Sequence, residues 1–178
     1  EDLSEQAVEE FKLRQEKSIG ELYPPVQRII ASPLKRCIRT AELIYPGQEI
    51  CTELMLRECD FGKYEQKTYE DLKDEPEYIR WMESGGMTAF PGGEDQTAFR
   101  GRCVDSVKKW ISRLLSEEAD SAAFIVHGGT IMAVLSGLSE DAHEFYHWQV
   151  ENGGGYVAEV TEEDWENGRK ILRKVKRL

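Results

Sequence analysis

A chain of 178 residues is long enough for one domain with a full apolar core. A hydrophobic share of 40%, a mean hydropathy of -0.56 and no apolar run near membrane-spanning length exclude a helical membrane protein and fit a soluble globular one. The net charge of -11 argues against nucleic acid or an anionic membrane as partner, but an anionic small molecule stays open, because a few local arginines outweigh a distant acidic surface.

Leu3-Ser4-Glu5-Gln6-Ala7-Val8 opens the first expected helix, with Ser4 as N-cap and Leu3 and Val8 at the staple positions. Ala7, Val8, Phe11 and Gln15 make one face, and Gly20 ends it. Tyr23-Pro24-Pro25 is a connector, and Val26 to Ala31 reads as a buried strand. A helix follows, with Ser32 suited to the N-cap, Pro33 to the first helical position, and Leu34, Ile38, Ala41 and Tyr45 spaced for one buried face. Arg36 falls in its first turn, where a cation opposes the helix dipole; a cation there implies an anionic partner.

Pro46-Gly47 turns the chain into a short strand, Glu49 to Glu53, and Leu54 to Glu65 has no clear period. Two short helices, interrupted near Pro76, are expected between Thr68 and Ser84. Gly85-Gly86 and Pro91-Gly92-Gly93-Glu94 mark a long loop of the kind that forms a lid or rim. The longest helix runs from about Asp95 to Glu118, with a core stripe of Phe99, Cys103, Val107, Trp110, Ile111, Leu114 and Leu115. A short helix, Ser139 to Trp148, a strand, Tyr156 to Val160, and a basic edge strand, Ile171 to Leu178, complete the chain. Alternation of strands and helices gives an α/β class with a largely parallel sheet. The scattered cysteines, Cys37, Cys51, Cys59 and Cys103, are expected to be free thiols in a reducing cytoplasm.

The stretch around which the rest is organised is Ser121 to Leu135. Ala122 to Val126 is an apolar run of strand length, Gly128-Gly129 allows a tight turn, and Thr130-Ile131 starts an apolar helix. His127 therefore stands where a buried strand meets a helix N-terminus, the carboxyl edge at which open α/β sheets bind ligands. Free N–H groups and the positive end of the helix dipole suit phosphate there, and the paired glycines leave room for it.

Four motifs, Ser32-Pro-Leu-Lys-Arg36-Cys-Ile-Arg-Thr40-Ala41, Leu56-Arg-Glu58-Cys-Asp-Phe-Gly62, Pro91-Gly-Gly-Glu94 and His127-Gly-Gly-Thr130, occur in that order. Together they resemble the histidine phosphatase, or phosphoglycerate mutase-like, superfamily. His147-Trp-Gln-Val-Glu-Asn152-Gly is similar to its small bacterial branch that includes α-ribazole phosphatases. The resemblance implies a three-layer α/β/α sandwich and hydrolysis of a small phosphorylated metabolite through a phosphohistidine, with no metal or organic cofactor. It implies that Arg36 clamps phosphate oxygens, that His127 is the second pocket histidine, that the Gly128 N–H donates to the phosphoryl group, and that Glu58 protonates the leaving oxygen.

The chain also departs from the family. Ala7 replaces the usual glycine, and Tyr64-Glu65-Gln66 the usual Trp-Glu-Gly. No Arg-His-Gly, the nucleophile motif that ends the family's first strand, occurs here. The expectation is a single domain spanning 1–178 whose first strand, with the nucleophile, lies upstream of Glu1. Mutase-type phosphoryl transfer and a catalytically dead phosphate-binding module are the alternatives of the same fold. A reading from another class comes from His143-Glu144-Phe145-Tyr146-His147, which matches the zinc-protease pattern His-Glu-x-x-His; surface histidines on a short helix explain it without metal.

Overall fold

The computed structural model describes residues 2–9, 23–84 and 88–178. Its centre is a parallel three-stranded sheet in the order β2-β1-β3: β1 is Arg28–Ala31, β2 Ile50–Thr52 and β3 Ala122–Ile125. Ile29, Ile30 and Ala31 of β1 are all buried, the mark of a strand covered on both faces. Successive side chains of a strand point to opposite faces. Ile29 accordingly packs with Tyr23, Ala41, Ile44 and Tyr45, while Ile30 packs with Leu56, Val107, Ile111, Leu114, Leu135 and Leu138. The first group includes helix α1 (Lys35–Ile44) and the second includes α4 (Gln96–Ser116) and α5 (Gly128–Leu138), which gives three layers.

The expected helix at the N-terminus is present over residues 5–9, and Ser4 caps it, its hydroxyl accepting from the Ala7 N–H at 3.2 Å. Phe11, Gln15 and the stop at Gly20 lie outside the described residues, as do Gly85 and Gly86. Two short helices, α2 (Tyr69–Leu72) and α3 (Pro76–Glu83), stand where expected, and Thr68 with Asp71 forms a reciprocal capping box at the start of α2. Asp95 caps α4 by accepting from Ala98 N–H at 2.9 Å. Phe99, Cys103, Val107, Ile111 and Leu114 of its stripe are buried; Trp110 is half-buried and donates its indole N–H to Glu53 at 2.8 Å.

Four expectations need correction. First, α1 starts at Lys35 with Leu34 as N-cap, not with Ser32, whose hydroxyl is engaged inside the molecule. Its buried stripe is Cys37, Ala41, Ile44 and Tyr45, so Leu34 and Ile38 are only half-buried. Second, α5 continues to Leu138, and the expected helix from Ser139 to Trp148 is reduced to a 3₁₀ turn over Phe145–Trp148. Third, β4 (Tyr156–Glu159) and β5 (Arg173–Arg177) pair antiparallel in a second, two-stranded sheet rather than extending the parallel one. Fourth, a short helix, α6 (Glu162–Glu166), joins them; it was not foreseen. Thr161 caps α6, and buried Asp164 is held by Arg173 at 2.5 Å and Arg169 at 2.8 Å.

Candidate active site

His127 is the N-cap of α5, two residues past the end of β3, and its ring is buried. Parallel pairing of β3 with β1 carries the Ser32–Arg36 segment to the same edge, since Ala31 stands beside Ile125 and Ser32 N–H donates to the Ile125 carbonyl at 3.0 Å. Ser32 Oγ then lies 2.7 Å from His127 Nε2, and Arg36 Nη2 lies 3.1 Å from His127 Nδ1. A guanidinium only donates hydrogen bonds. Nδ1 must therefore accept, which leaves the ring proton on Nε2, donated to Ser32 Oγ. The ring is neutral: burial first, then the Arg36 and Arg102 charges, lower its pKa from 6.5 to about 3.

Glu58 approaches from the irregular segment after β2. Its Oε2 is 3.6 Å from His127 Nδ1 and 3.8 Å from Arg36 Nη2, while Oε1 accepts from the Cys59 N–H at 3.1 Å. With His127 neutral, the first contact is not an ion pair. Burial raises the Glu58 carboxyl above the usual range, outweighing the Cys59 N–H and the Arg36 charge, which lower it. The structure thus brings Arg36, Glu58 and His127 within 4 Å of one another. It adds two neighbours that sequence reasoning did not place there. One is Ser32, read only as a helix cap. The other is Cys37, whose Sγ lies 3.6 and 3.7 Å from the two ring nitrogens of His127 and whose thiol burial pushes up to about 11.

The two glycines after His127 do different things. A Cβ on Gly128 would meet nothing within 4 Å, so this exposed first residue of α5 faces open space. A Cβ on Gly129 would sit 3.1 Å from Glu58 Oε1 and 3.3 Å from the Phe99 ring. The expectation that both glycines leave room for a ligand is therefore corrected: Gly129 makes room for the Glu58 carboxyl. The first N–H groups of a helix have no intrahelical acceptor and suit an anion.

The rival motif does not form the arrangement it requires. His143 precedes the Phe145–Trp148 turn, no α-helix carries His143 and His147 together, and their rings stack face to face at 3.8 Å. Among the described residues no three His, Cys, Asp or Glu side chains are grouped to hold a metal ion. Nor is any helix among them long and apolar enough to cross a membrane.

Arg36, Glu58 and the buried His127 thus meet at a helix N-terminus on the carboxyl edge of a three-layer α/β sandwich, a place that suits an anionic group. The sequence model of the histidine phosphatase superfamily (branch 1) matches residues 9–170, and the chain belongs to that family, in the class of histidine-type phosphatases. The adenosylcobalamin/alpha-ribazole phosphatase of Salmonella typhimurium is 26% identical over 161 residues, covering 83% of this chain and 78% of its own. In fold, the alpha-ribazole phosphatase from Shigella flexneri superposes with a TM-score of 0.73 at 20% identity, over 96% of this chain and 80% of its own. The phosphoglycerate mutase from Thermus thermophilus superposes with a TM-score of 0.63 at 25% identity, over 99% of this chain and 84% of its own.

Proposed function

We propose that the protein hydrolyses a phosphate monoester of a small metabolite through a phosphohistidine, with Arg36, Glu58, His127 and the Gly128 N–H as the pocket residues present in this chain. The observation that carries the reading is the meeting of Arg36 Nη2 and Glu58 Oε2 at the Nδ1 of buried His127, 3.1 and 3.6 Å away. A bound phosphoryl dianion draws the Arg36 guanidinium onto two of its oxygens, where planar bidentate contact spreads the transferring charge. Its charge also offsets the Arg36 field on His127, so the ring becomes able to donate to the phosphoryl oxygens. Gly128 is the exposed first residue of α5, so its N–H, which has no intrahelical acceptor, can add a backbone donor. Glu58, whose carboxyl is raised by burial, holds a proton for the leaving oxygen.

The nucleophile is inferred to lie on a further strand that carries Arg-His-Gly and runs along β3. Among the described residues β3 pairs on one edge only, with β1, and all its residues are half-buried where those of a sheet centre would be covered. An unpaired edge of that kind favours another strand beside it. A cytoplasmic setting fits the four unpaired cysteines.

The name of the Salmonella typhimurium relative makes alpha-ribazole phosphate the first ester to assay, beside 3-phosphoglycerate to separate hydrolysis from mutase transfer. The expected result is phosphate release with an acid-labile, base-stable phosphoprotein as intermediate. A folded protein that binds phosphate esters without releasing phosphate would overturn the reading and leave a binding module; transfer without release would make it a mutase.

A further inference from the structure

The segment that carries Glu58 has no strand or α-helix of its own between β2 and α2; it contains only the 3₁₀ turns Leu54–Leu56 and Gly62–Tyr64. Something else must satisfy its backbone and fix its carboxyl beside His127. The group that does so is Arg102 on α4. Its Nε and Nη2 make a bidentate pair with Glu94 at 2.6 and 2.7 Å. Its Nη1 donates to the carbonyls of Met55 at 2.5 Å and Arg57 at 2.9 Å, and Nη2 donates to the carbonyl of Glu58 itself at 3.1 Å. All five guanidinium N–H groups are thereby used, three of them on the loop that holds Glu58.

Glu94 is fixed in turn. Its N–H donates to the Asp60 carbonyl at 2.8 Å, and a Cβ on Gly93 would fall 2.5 Å from that same oxygen. The Pro91–Glu94 turn thus lies flat against residues 60–62, and Arg102 and Glu94 clasp the Glu58 loop between that turn and α4. Side-chain exposures of 11% for Arg102 and 14% for Glu94 keep this pair from the solvent competition that weakens surface ion pairs.

We propose that Arg102, paired with Glu94, is a positioning residue for the reaction: it holds the backbone at Met55, Arg57 and Glu58 so that the Glu58 carboxyl faces His127 and the leaving oxygen. The inference rests on the reading of Glu58 as the proton donor. A lysine cannot reproduce the clasp, because an ammonium is a point charge without the planar fork that reaches a carboxylate and three carbonyls together.

The test uses the full-length protein and two substrates, an alkyl phosphate whose leaving oxygen needs a proton and p-nitrophenyl phosphate, which leaves without one. Glu58→Gln first checks the underlying reading, since it should lose far more activity on the alkyl ester. Arg102→Lys, which keeps the charge, and Glu94→Gln, which keeps the shape, should then lose about tenfold to a hundredfold more kcat/KM on the alkyl ester than on the aryl ester, the usual cost of displacing a catalytic group by about an ångström. Combining Glu58→Gln with Arg102→Lys should add no further selective loss. If Arg102 only supports the fold, both esters fall together in proportion to the folded fraction read by circular dichroism, and the inference is overturned. A selective loss in Glu58→Gln with none in Arg102→Lys or Glu94→Gln overturns this inference alone; equal losses in Glu58→Gln overturn the proton-donor reading and this inference with it.

Discussion

The adjacent glycines at the start of α5 give a paired prediction in which stability and catalysis separate. Gly129→Ala places a methyl group 3.1 Å from Glu58 Oε1 and 3.3 Å from the Phe99 ring. Phe99 is 1% exposed and cannot retreat, so the carboxyl must give way by a few tenths of an ångström or more. Overpacking of this kind costs about 1–3 kcal/mol, and the gain from replacing glycine inside a helix is at most about 1 kcal/mol. The net expectation is a loss of about 1 kcal/mol, seen as a lower urea midpoint with an unchanged slope. Turnover on an alkyl phosphate should drop further than the folded fraction accounts for, because the displaced group is Glu58. Gly128→Ala meets nothing within 4 Å and has no left-handed φ, so it should leave the midpoint unchanged or raise it. Its methyl group enters the open space by the first helical N–H and should raise KM for phosphate esters. Should Gly128→Ala be the destabilised variant and Gly129→Ala the silent one, the division of labour between the two glycines would be refuted.

Arg36→Ala should lower turnover about a hundredfold or more, the usual cost of removing a donor aimed at transition-state charge, with little change in the thermal midpoint because the side chain is half-exposed. His127 lends the fold a pH dependence of definite sign. Its folded pKa of about 3 lies below the ordinary 6.5, so between those values the unfolded chain binds a proton that the folded chain refuses. That contribution is fully present above pH 6.5 and is lost as pH falls to about 3; His127→Gln should flatten the thermal midpoint against pH across that window, and an unchanged slope would contradict the buried neutral ring. Asp164 acts lower: hydrogen bonds from Arg173, then Thr161, hold its carboxyl at about 2 instead of 3.8, so Asp164→Asn should remove stability present above pH 3.8 and remove the acid loss between 3.8 and about 2. EDTA should leave phosphate release unchanged and the purified protein should hold no stoichiometric zinc; zinc bound at about one per chain and lost in His147→Ala would revive the zinc reading of His143 and His147.

What was legible in the sequence depended on how far apart the interacting groups lie along the chain. Arg36 and His127 each sit at a strand-to-helix junction, and such junctions show locally as an apolar run, turn formers and a new period. The stripe from Phe99 to Leu114 was legible for the same reason. The pairing of Ser32 with His127 was not, because the two are 95 residues apart and a serine before a proline reads equally well as a helix cap. The split of the sheet was also hidden: a strand pattern says which residues alternate, not which strand they join. The segment after Leu138 misled because its aromatic residues, spaced as on a helix, pack instead about a 3₁₀ turn, where His143 stacks on His147, both meet Trp148 edge-on, and Trp148 meets Tyr156 edge-on. Arg102 left the least trace. It lies beside the buried stripe of a helix that reads as ordinary amphipathic structure, and three of its acceptors are backbone carbonyls, which every residue has. Pro91-Gly-Gly-Glu94 was visible as a loop, but its consequence was not. Gly93 is needed because the Asp60 carbonyl lies where its Cβ would stand, and Glu94 is needed because Arg102 has to be answered by a carboxylate once it is taken from water. The Glu58 carboxyl is thus placed by residues that lie away from His127 and Arg36, and their contribution becomes readable only when the loop, the turn and the helix are seen against one another.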